Sequence, residues 1–483
     1  MENPSGITIN RSENSALRYF VYGALILFAL LHLYRVSAPP NGYHQWRESD
    51  TAAVILNFYQ ENHSPLVPLT NELKSSAVIT SIELPIYCYL SALGYFLLGP
   101  NHIAAHLLTI IAGCVGLWFF YRLTTLVAGK TAAVFSVWAL AFSPLYFFYN
   151  FKMMPEIMMI CFLLAGIYLF LRYINNRSIS YFLLSAFCLS LAVSTKPFIL
   201  SIYILLLYLL WKNKFKFKQI VWIIPLHFVI AIIPLLSWMI YSAWLVERST
   251  IIFSFYDYFF TSLFFKKFFL QWPYELWVGW ILLPAFLYGL YKSIKNRENR
   301  FNFVWMGAAF IALVFMARYS RQHDYYSLFL IPAFAGITGY GLASLYKKGK
   351  NWRIVVYILI ILAPVGAFLR IADRFGNIED FYSIRRDVAD IIPPHSKVVV
   401  EDNTRGALRL YQLNRKGWYV RTGDDYAGVL QAAKDGAEFL IVDRAVETYN
   451  DSLRSFVTGE PKRLGPVYCY TLKINDSTNI NGQ

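Results

Sequence analysis

The stretch YFVYGALILFALLHLYRV, residues 19–36, is the first long apolar segment of the chain. About 20 mostly apolar residues are needed for a helix to cross the hydrocarbon core of a bilayer. A polar segment precedes this stretch, and no A-x-A cleavage site follows it. These features are typical of an uncleaved signal-anchor helix. We therefore expect a membrane anchor whose amino terminus lies in the cytoplasm.

The composition of the whole chain extends this prediction. Of 483 residues, 57% are hydrophobic and 15% are charged, against about 25% charged residues in ordinary soluble domains. The mean hydropathy is +0.43. A soluble globule needs a polar surface and cannot bury so many apolar side chains. We exclude a soluble enzyme, a disordered chain and a collagen-like rod, and we predict a polytopic α-helical membrane protein.

Ten further apolar segments bring the predicted number of transmembrane helices to about eleven. They cover 103–126, 131–149, 157–174, 180–195, 197–211, 220–245, 273–291, 301–317, 327–346 and 353–371. Alternate loops between them are basic, and the opposite loops are mixed or acidic. Because basic loops remain in the cytoplasm, the sequence predicts a multi-pass protein of the inner (plasma) membrane with a cytoplasmic amino terminus. The net charge of +15 then marks cytoplasmic loops and not a nucleic-acid partner.

Two regions differ from the apolar bundle, and they define the predicted domains. Residues 1–372 form a transmembrane module, whose first extracytoplasmic loop, 38–102, contains amphipathic segments typical of interfacial helices. Residues 373–483 have a soluble composition in which helical and strand patterns alternate from residue 381 to residue 472. This alternation predicts a small α/β domain, which an odd number of spans places outside the cytoplasm.

Motifs for several other functions are absent from the sequence. The five cysteines form no CxxC pair, which argues against a zinc or redox motif. There is no P-loop and no G-x-G-x-x-G segment, so nothing indicates ATP or dinucleotide binding. Asp424 and Asp425 precede a predicted helix and suit a helix cap. A nucleotide-sugar donor is therefore not expected.

Charged residues recur where outer loops meet predicted helices. Ionisable groups are costly near a membrane and therefore mark functional sites by default. Five separate segments supply such groups to the outer side, and we expect them to share a polar cavity. The alternative for each one is a solvated helix end whose long side chain reaches the headgroups.

Five short motifs carry a resemblance to a known superfamily. His44-Gln-Trp-Arg-Glu-Ser-Asp-Thr-Ala-Ala53 resembles the first outer loop of GT-C glycosyltransferases. Glu83-Leu-Pro-Ile-Tyr-Cys-Tyr-Leu90, Met154-Pro-Glu156, Ser194-Thr-Lys-Pro197 and His323-Asp-Tyr-Tyr326 are similar to later motifs, in the same order. The motifs are most similar to the branch that contains the protein O-mannosyltransferases and the aminoarabinose transferases of lipid A. This branch resembles glycosyltransferase family 39.

The resemblance implies a GT-C fold with an extracytoplasmic carboxy-terminal domain and a polyprenyl-phosphate-linked sugar as donor. It implies inverting single displacement at the outer face of the membrane, with an acidic residue of the first outer loop as base. The candidate acceptors are a glycan, a lipid or a protein. The competing hypothesis is a multispan transporter or flippase for lipid-linked sugars, which would place polar residues near the bilayer midplane.

The candidate site residues follow from the motifs and their chemistry. Asp50 is the expected base, because attack by an acceptor hydroxyl needs a carboxylate to take the proton. Glu48 is the competing candidate, and a helix cap is the structural alternative for Asp50. Cations suit the departing phosphate. The predicted substrate-binding residues are Arg47, Glu83, Glu156, Lys196, Arg318, Arg321, His323, Asp324 and Tyr325.

Within that set, Lys196, Arg318 and Arg321 are expected to bind the donor phosphate, and Arg47 to position Asp50. A divalent metal is possible, because His323 and Asp324 with the glutamates offer imidazole and carboxylate ligands. The candidate residues have no H-x-x-x-H or D-x-D spacing among them, and no cofactor is certain.

Overall fold

The structure is a computed structural model that describes residues 15–73, 83–246, 261–404, 406–449 and 451–473. The chain divides into two compact units. The first comprises 1–36, 106–240 and 249–373, and the second comprises 37–105, 241–248 and 374–483. Residues 374–483 of the predicted tail therefore share a unit with residues 37–105, which include the predicted first outer loop, 38–102.

Apolar helices dominate the described residues up to 371. Their bounds are Ser15–Leu33, Ile103–Ala128, Lys130–Ala141, Pro144–Tyr149, Glu156–Asn176, Ile179–Thr195, Tyr203–Lys212, Phe217–Val246, Leu283–Lys295, Arg300–Phe315, Ile331–Tyr346 and Lys350–Ile371. Shorter helical segments are Pro197–Ile202, Ser262–Phe265, Lys266–Gln271, Pro273–Trp277, Ala317–Ser320 and Asp324–Phe329.

Four helices are long and apolar enough to cross a membrane among the residues that the structure describes. They are Ile103–Ala128, Glu156–Asn176, Phe217–Trp244 and Lys350–Arg374, and six shorter apolar helices accompany them. This agrees with a multi-pass membrane protein. The total of eleven spans stays a prediction.

The structure corrects three predicted spans. The segment 131–149 is two helices, because Pro144 has no N–H to continue the first one. The segment 197–211 begins with a 3₁₀ turn at Pro197. The segment 273–291 begins with a π-helical segment, Pro273–Trp277, and becomes α-helical only at Leu283. A single proline changes the mean hydropathy of an apolar run only slightly, so composition alone did not reveal these breaks.

Small residues let two helices of the first unit approach closely. A Cβ atom at Gly339 would lie 2.1 Å from Ser136 Oγ and 2.4 Å from the backbone N of Ser136. This places helix Ile331–Tyr346 against helix Lys130–Ala141 with almost no space between the backbones. Contacts between small residues are a common basis of helix association in membranes.

Gly339→Ala is expected to destabilise the protein by about 1–3 kcal/mol, because the added methyl group must displace a neighbouring backbone. The midpoint of thermal unfolding in detergent measures the loss. Gly307→Ala is the matched control, since a Cβ atom at Gly307 meets nothing within 4 Å. An equal loss in both variants would contradict the close approach.

The second unit contains a five-stranded sheet in the order β2-β1-β3-β5-β4. The strands are β1 Val398–Glu401, β2 Gly417–Val420, β3 Phe439–Val442, β4 Val457–Leu464 and β5 Val467–Leu472. β1 pairs in parallel with β2 and β3, and β5 is antiparallel to β3 and β4. The helices of this unit include Gln45–Gln60, Ile86–Leu98, Glu379–Ile391, Ala407–Leu413, Tyr426–Lys434, Val446–Thr448 and Asp451–Arg454.

The alternation predicted for residues 381–472 matches the structure except at β4. A helix was expected near 446–457, and the structure has two short helical turns followed by the strand. Gly459 and Pro461 lower the strand propensity of this segment. β4 is an edge strand, where proline is tolerated, so the sequence pattern hid it.

Residues 71–73, within the predicted first outer loop, extend this sheet on its β2 side. The backbone N–H of Gly417 donates to Asn71 O at 3.0 Å, and the N–H of Leu73 donates to Gly417 O at 2.7 Å. Asn57 Nδ2, in helix Gln45–Gln60, donates to Leu69 O at 2.8 Å and to Asn71 Oδ1 at 3.1 Å. Loop and helix are thereby fixed to the strand that follows the helix Ala407–Leu413.

Candidate active site

Helix Gln45–Gln60 positions the predicted base and its neighbour. Arg47 and Asp50 are three residues apart and lie on the same helix face, with Arg47 Nη1 3.1 Å from Asp50 Oδ2. The other terminal nitrogen of Arg47 donates to Glu83 Oε2. Arg47 therefore bridges two carboxylates, and its role in positioning Asp50 stays a prediction.

The same helix separates the two candidate bases. Residues two apart on a helix do not share a face. The Glu48 residue is 1% exposed, whereas the Asp50 side chain is 21% exposed and lines a cavity. Burial raises the pKa of the Asp50 carboxyl, and the charge of Arg47 partly offsets this rise.

The cavity beside Asp50 has a volume of about 200 Å³ and lies within the second unit. Its polar lining comes from Trp46, Asp50, Thr70, Asn71, Glu72 and Thr404. Thr404 follows the carboxyl end of β1, where ligands often bind in α/β folds. Glu72 and Thr404 were not predicted from the sequence, because only the tertiary structure brings them close to helix Gln45–Gln60. Trp46 was also not predicted, although it lies inside the motif His44–Ala53, and its place in that motif could have identified it.

A second polar cluster, within the first unit, contains a buried ion pair. Lys196 Nζ lies 3.1 Å from Glu156 Oε1, and the two side chains are 5% and 1% exposed. Glu156 begins one helix and Lys196 follows the end of the next. Lys196 Nζ also lies 5.3 Å and 5.6 Å from the ring centroids of Tyr325 and Tyr326. Cation–π contacts of this kind add to the attraction.

The late loop joins this cluster through Asp324 and His323. Tyr149 donates its hydroxyl proton to Asp324 Oδ1, and both residues are buried. The His323 ring stacks on Tyr325, with centroids 5.4 Å apart and an interplanar angle of 9°. The structure thus brings together five of the predicted residues from three chain segments: Glu156, Lys196, His323, Asp324 and Tyr325.

Two predicted arginines lie in the same loop. The Arg318 guanidinium is 5.8 Å from the ring centroid of Tyr319, and Arg321 O accepts a hydrogen bond from Lys267 Nζ at 2.9 Å. Lys267 was not predicted. The sequence feature that could have identified it is the Lys266-Lys267 pair within an otherwise apolar segment.

The charges of the first-unit cluster favour an anion. Lys196 lies beside Glu156 and Tyr325, and Lys267 Nζ contacts the late loop at Arg321 O. The same loop carries Arg318, Arg321 and Asp324, which makes four cations and two carboxylates in these segments. Arginine and lysine donors are the usual ligands of phosphate, and hydrogen bonds between charged partners are stronger than neutral ones. The cluster can therefore stabilise a phosphate group.

A metal site does not form from the predicted ligands within the described ranges. No three His, Cys, Asp or Glu side chains there are grouped to hold an ion. Glu156 pairs with Lys196, and Glu83 pairs with Arg47. The carboxylates are thus matched with cations of the protein.

Comparison with known proteins gives one family and several structures. Residues 83–238 match the family model described as dolichyl-phosphate-mannose-protein mannosyltransferase. No curated protein sequence gives a significant match.

The structural similarity extends over nearly the whole chain. ArnT from Cupriavidus metallidurans bound to undecaprenyl phosphate has a TM-score of 0.66 at 12% identity, with 95% of this chain and 98% of that chain covered. The oligosaccharyltransferase AglB from Archaeoglobus fulgidus, in complex with an inhibitory peptide and a dolichol-phosphate, has a TM-score of 0.58 at 13% identity. The match covers 97% of this chain and 75% of that chain. The arabinofuranosyltransferase AftD from Mycobacteria has a TM-score of 0.59 at 14% identity, with 96% of this chain and 42% of that chain covered.

The matched family and all three structures are glycosyltransferases. The resemblance predicted from the sequence is confirmed, and with it the predicted class of enzyme. The chain has the GT-C membrane fold.

Proposed function

We propose that the protein transfers a sugar from a polyprenyl-phosphate donor to an acceptor hydroxyl at the extracytoplasmic face, with Asp50 as the base. The observation that carries this proposal is the position of Asp50, which opens to a cavity, whereas Glu48 is almost completely buried. The shared fold supports the reaction class. The ArnT structure, bound to undecaprenyl phosphate, supports the kind of lipid.

The reaction is a single displacement. The acceptor oxygen attacks the anomeric carbon as its proton passes to the Asp50 carboxylate, and the bond between that carbon and the phosphate oxygen breaks. The phosphate leaves with the electron pair, and the configuration at the anomeric carbon inverts. Arg47 holds the Asp50 carboxylate at 3.1 Å and favours its ionised form.

The first-unit cluster is assigned to the donor phosphate. The departing group gains negative charge in the transition state, and fixed cations stabilise such charge without reorganisation. Lys196, Arg318 and Arg321 supply these cations, and Lys267 adds a fourth. Glu156 and Asp324 hold the cluster together through Lys196 and Tyr149.

Turnover of a defined donor tests the proposed function. The full chain in lipid nanodiscs is mixed with undecaprenyl-phosphate carrying a radiolabelled sugar, and free undecaprenyl phosphate is quantified. The proposal expects cleavage of the sugar–phosphate bond, with water as the acceptor when no other hydroxyl is supplied and the label recovered as free sugar. In sealed proteoliposomes, movement of intact donor between leaflets with no cleavage would support the transporter hypothesis instead.

We infer the same orientation as the basic loops indicate, with a cytoplasmic amino terminus and residues 374–473 outside. Single cysteines in a cysteine-free background test this at Asn296 and Glu460, both of which are exposed. A membrane-impermeant maleimide added to intact cells should label position 460 and not position 296. The reverse pattern would overturn the proposal.

Arg321→Gln is expected to raise the KM for the donor about 10- to 100-fold, because a hydrogen bond between charged partners contributes about 1.5–3 kcal/mol. Initial rates at varied donor concentration give the value. Arg353→Gln, at an exposed arginine of the same unit, should leave the KM unchanged. Equal KM values for Arg321→Gln and wild type would remove Arg321 from the donor site.

A further inference from the structure

Two arginines of the first unit converge on one tyrosine hydroxyl. Arg122 Nη2 donates to the Tyr168 hydroxyl oxygen at 3.1 Å, and Arg172 Nη1 donates to the same oxygen at 3.2 Å. Arg172 follows Tyr168 by four positions and so lies on the same face of helix Glu156–Asn176. Arg122 comes from helix Ile103–Ala128. Guanidinium groups from two different helices therefore meet at one neutral oxygen atom.

Aromatic rings hold both guanidinium groups in place. Arg122 Cζ lies 5.7 Å from the ring centroid of Trp118 and 5.6 Å from that of Tyr168. Arg172 Cζ lies 5.2 Å from the ring centroid of Tyr181, and Arg172 Nη2 donates to the Tyr181 hydroxyl at 3.4 Å. Cation–π contacts attract a guanidinium group to a ring. These partners orient the two cations but carry no charge that would neutralise them.

The arrangement of the two cations suits a phosphate group. Both arginines are half-buried, where like charges at short range repel each other more strongly than in water. An anion bound between them removes this repulsion. Each guanidinium has five N–H donors, and the bonds to the two tyrosines use three of the ten. The planar fork of a guanidinium matches the oxygens of a phosphate.

The arginine pair lies near the far end of the membrane span from the proposed donor site. Arg172 follows Glu156 by 16 positions in one helix, which is about 24 Å along the helix axis. The hydrocarbon core of a bilayer is about 30 Å thick. Glu156 belongs to the cluster assigned to the donor phosphate. The long side chain of Arg172 therefore reaches the level of the lipid phosphates in the opposite leaflet.

Exposed apolar side chains continue from the pair toward the membrane interior. Helix Ile179–Thr195 begins at the end where Arg172 lies, and Tyr181 is in its first turn. Leu184 and Phe187 follow Tyr181 at intervals of three residues, so successive side chains are neighbours. They are 49% and 57% exposed. An acyl chain can pack along them while its headgroup contacts the arginines, which a soluble ion cannot do.

We propose that Arg122 and Arg172 bind the phosphate of an anionic phospholipid, whose acyl chain lies along helix Ile179–Thr195. In the orientation inferred above, this lipid belongs to the cytoplasmic leaflet, where basic pockets between transmembrane helices bind such headgroups. The headgroup has a net negative charge, because the ammonium group of a zwitterionic lipid would add a third positive charge. The site takes no part in sugar transfer, so this proposal does not depend on the proposed function.

Lipid binding by the full chain tests the proposal. Native mass spectrometry in detergent measures the affinity for phosphatidylglycerol and for phosphatidylcholine with identical acyl chains. Phosphatidylglycerol should bind at least about tenfold more tightly, because only its headgroup has a net charge opposite to that of the arginines. A large excess of inorganic phosphate should not displace it, since inorganic phosphate has no acyl chain.

Variants assign the binding to the arginine pair. Arg122→Gln with Arg172→Gln should weaken binding of phosphatidylglycerol at least about tenfold, because hydrogen bonds between charged partners are lost. Arg122→Lys with Arg172→Lys keeps both charges without the planar fork, so its affinity should lie between those of the wild type and the glutamine variant. Arg353→Gln is the matched control and should change nothing, since Arg353 is an exposed arginine that also lies over a tyrosine ring.

Four results would overturn the lipid site. They are equal affinity of the wild type for the two lipids, unchanged binding of phosphatidylglycerol in the glutamine variant, an equal loss in Arg353→Gln, and displacement of the lipid by inorganic phosphate. The last result would indicate a site for a soluble anion. If the glutamine variant does not fold, the lysine variant decides the assignment, because wild-type affinity in that variant would contradict binding by the guanidinium forks.

Discussion

Asp50→Asn is expected to lower the rate of sugar transfer by about 100- to 10,000-fold, the usual contribution of a positioned general base. The amide keeps the size of the side chain and its contact with Arg47 but cannot accept the proton of the acceptor. Donor turnover at saturating donor and acceptor measures the change. A fully active Asp50→Asn enzyme would remove the assignment.

The stability of this variant separates a lost base from a lost fold. Burial raises the pKa of Asp50, so the charged carboxylate is disfavoured in the folded protein relative to the unfolded chain. A raised folded-state pKa stabilises the protein at low pH, and this contribution is lost as the pH rises. Replacing the carboxylate with a neutral amide should therefore leave the unfolding temperature at pH 7 unchanged or higher.

The pH dependence of the wild-type rate gives a second measurement. The base acts as the carboxylate, so activity should fall as the pH drops through the raised pKa of Asp50. The acid limb should then lie above the ordinary value of 3.8 and should be absent from the residual activity of Asp50→Asn. An acid limb that persists in the variant would assign it to another group.

Glu48→Gln is the matched control for a carboxylate on the same helix. Glu48 is almost completely buried and does not line the cavity, so its role in this proposal is structural. We expect Glu48→Gln to lower the unfolding temperature while the rate per folded molecule stays near that of wild type. The opposite pattern, a stable but inactive Glu48→Gln enzyme, would exchange the roles of the two acids.

Local patterns explain how much of the fold and the site the sequence could predict. The amphipathic pattern from Asp50 to Glu61 predicted a helix, and the structure has one, Gln45–Gln60, that begins five residues earlier. The apolar runs that formed β1, β3 and β5 were visible as strands. Each of these signals lies within a few neighbouring residues. β4 carries Gly459 and Pro461, and its pairing with β5 stabilises it as a strand. No local sequence pattern therefore predicted it.

The same distinction applies to the candidate site. The ion-pairing groups Lys196 and Glu156 were recognised as charges at helix ends, but the sequence contained no sign that they pair with each other. Glu72 reaches the cavity because residues 71–73 bond to Gly417, more than 300 positions later in the chain. Such long-range pairing depends on the assembled sheet, and single-sequence periodicity does not encode it.

Lys196→Met is expected to destabilise the protein by about 3–5 kcal/mol, because it leaves the buried Glu156 carboxylate without its cation. The two side chains are 5% and 1% exposed, so water cannot replace the lost partner. The unfolding temperature in detergent measures the loss. The exposed pair of Lys416 and Glu61 is the control, and Lys416→Met should cost less than about 1 kcal/mol.

The double variant Lys196→Met with Glu156→Gln separates stability from donor binding. Removing both charges eliminates the uncompensated carboxylate, so most of the lost stability should return, with a coupling energy of about 0.5–3 kcal/mol. If Lys196 binds the donor phosphate as proposed, the double variant remains stable but its KM for the donor stays raised. If the pair only holds helices together, the KM returns toward the wild-type value along with the stability. The two measurements on one protein therefore decide whether the buried lysine serves the reaction or the fold.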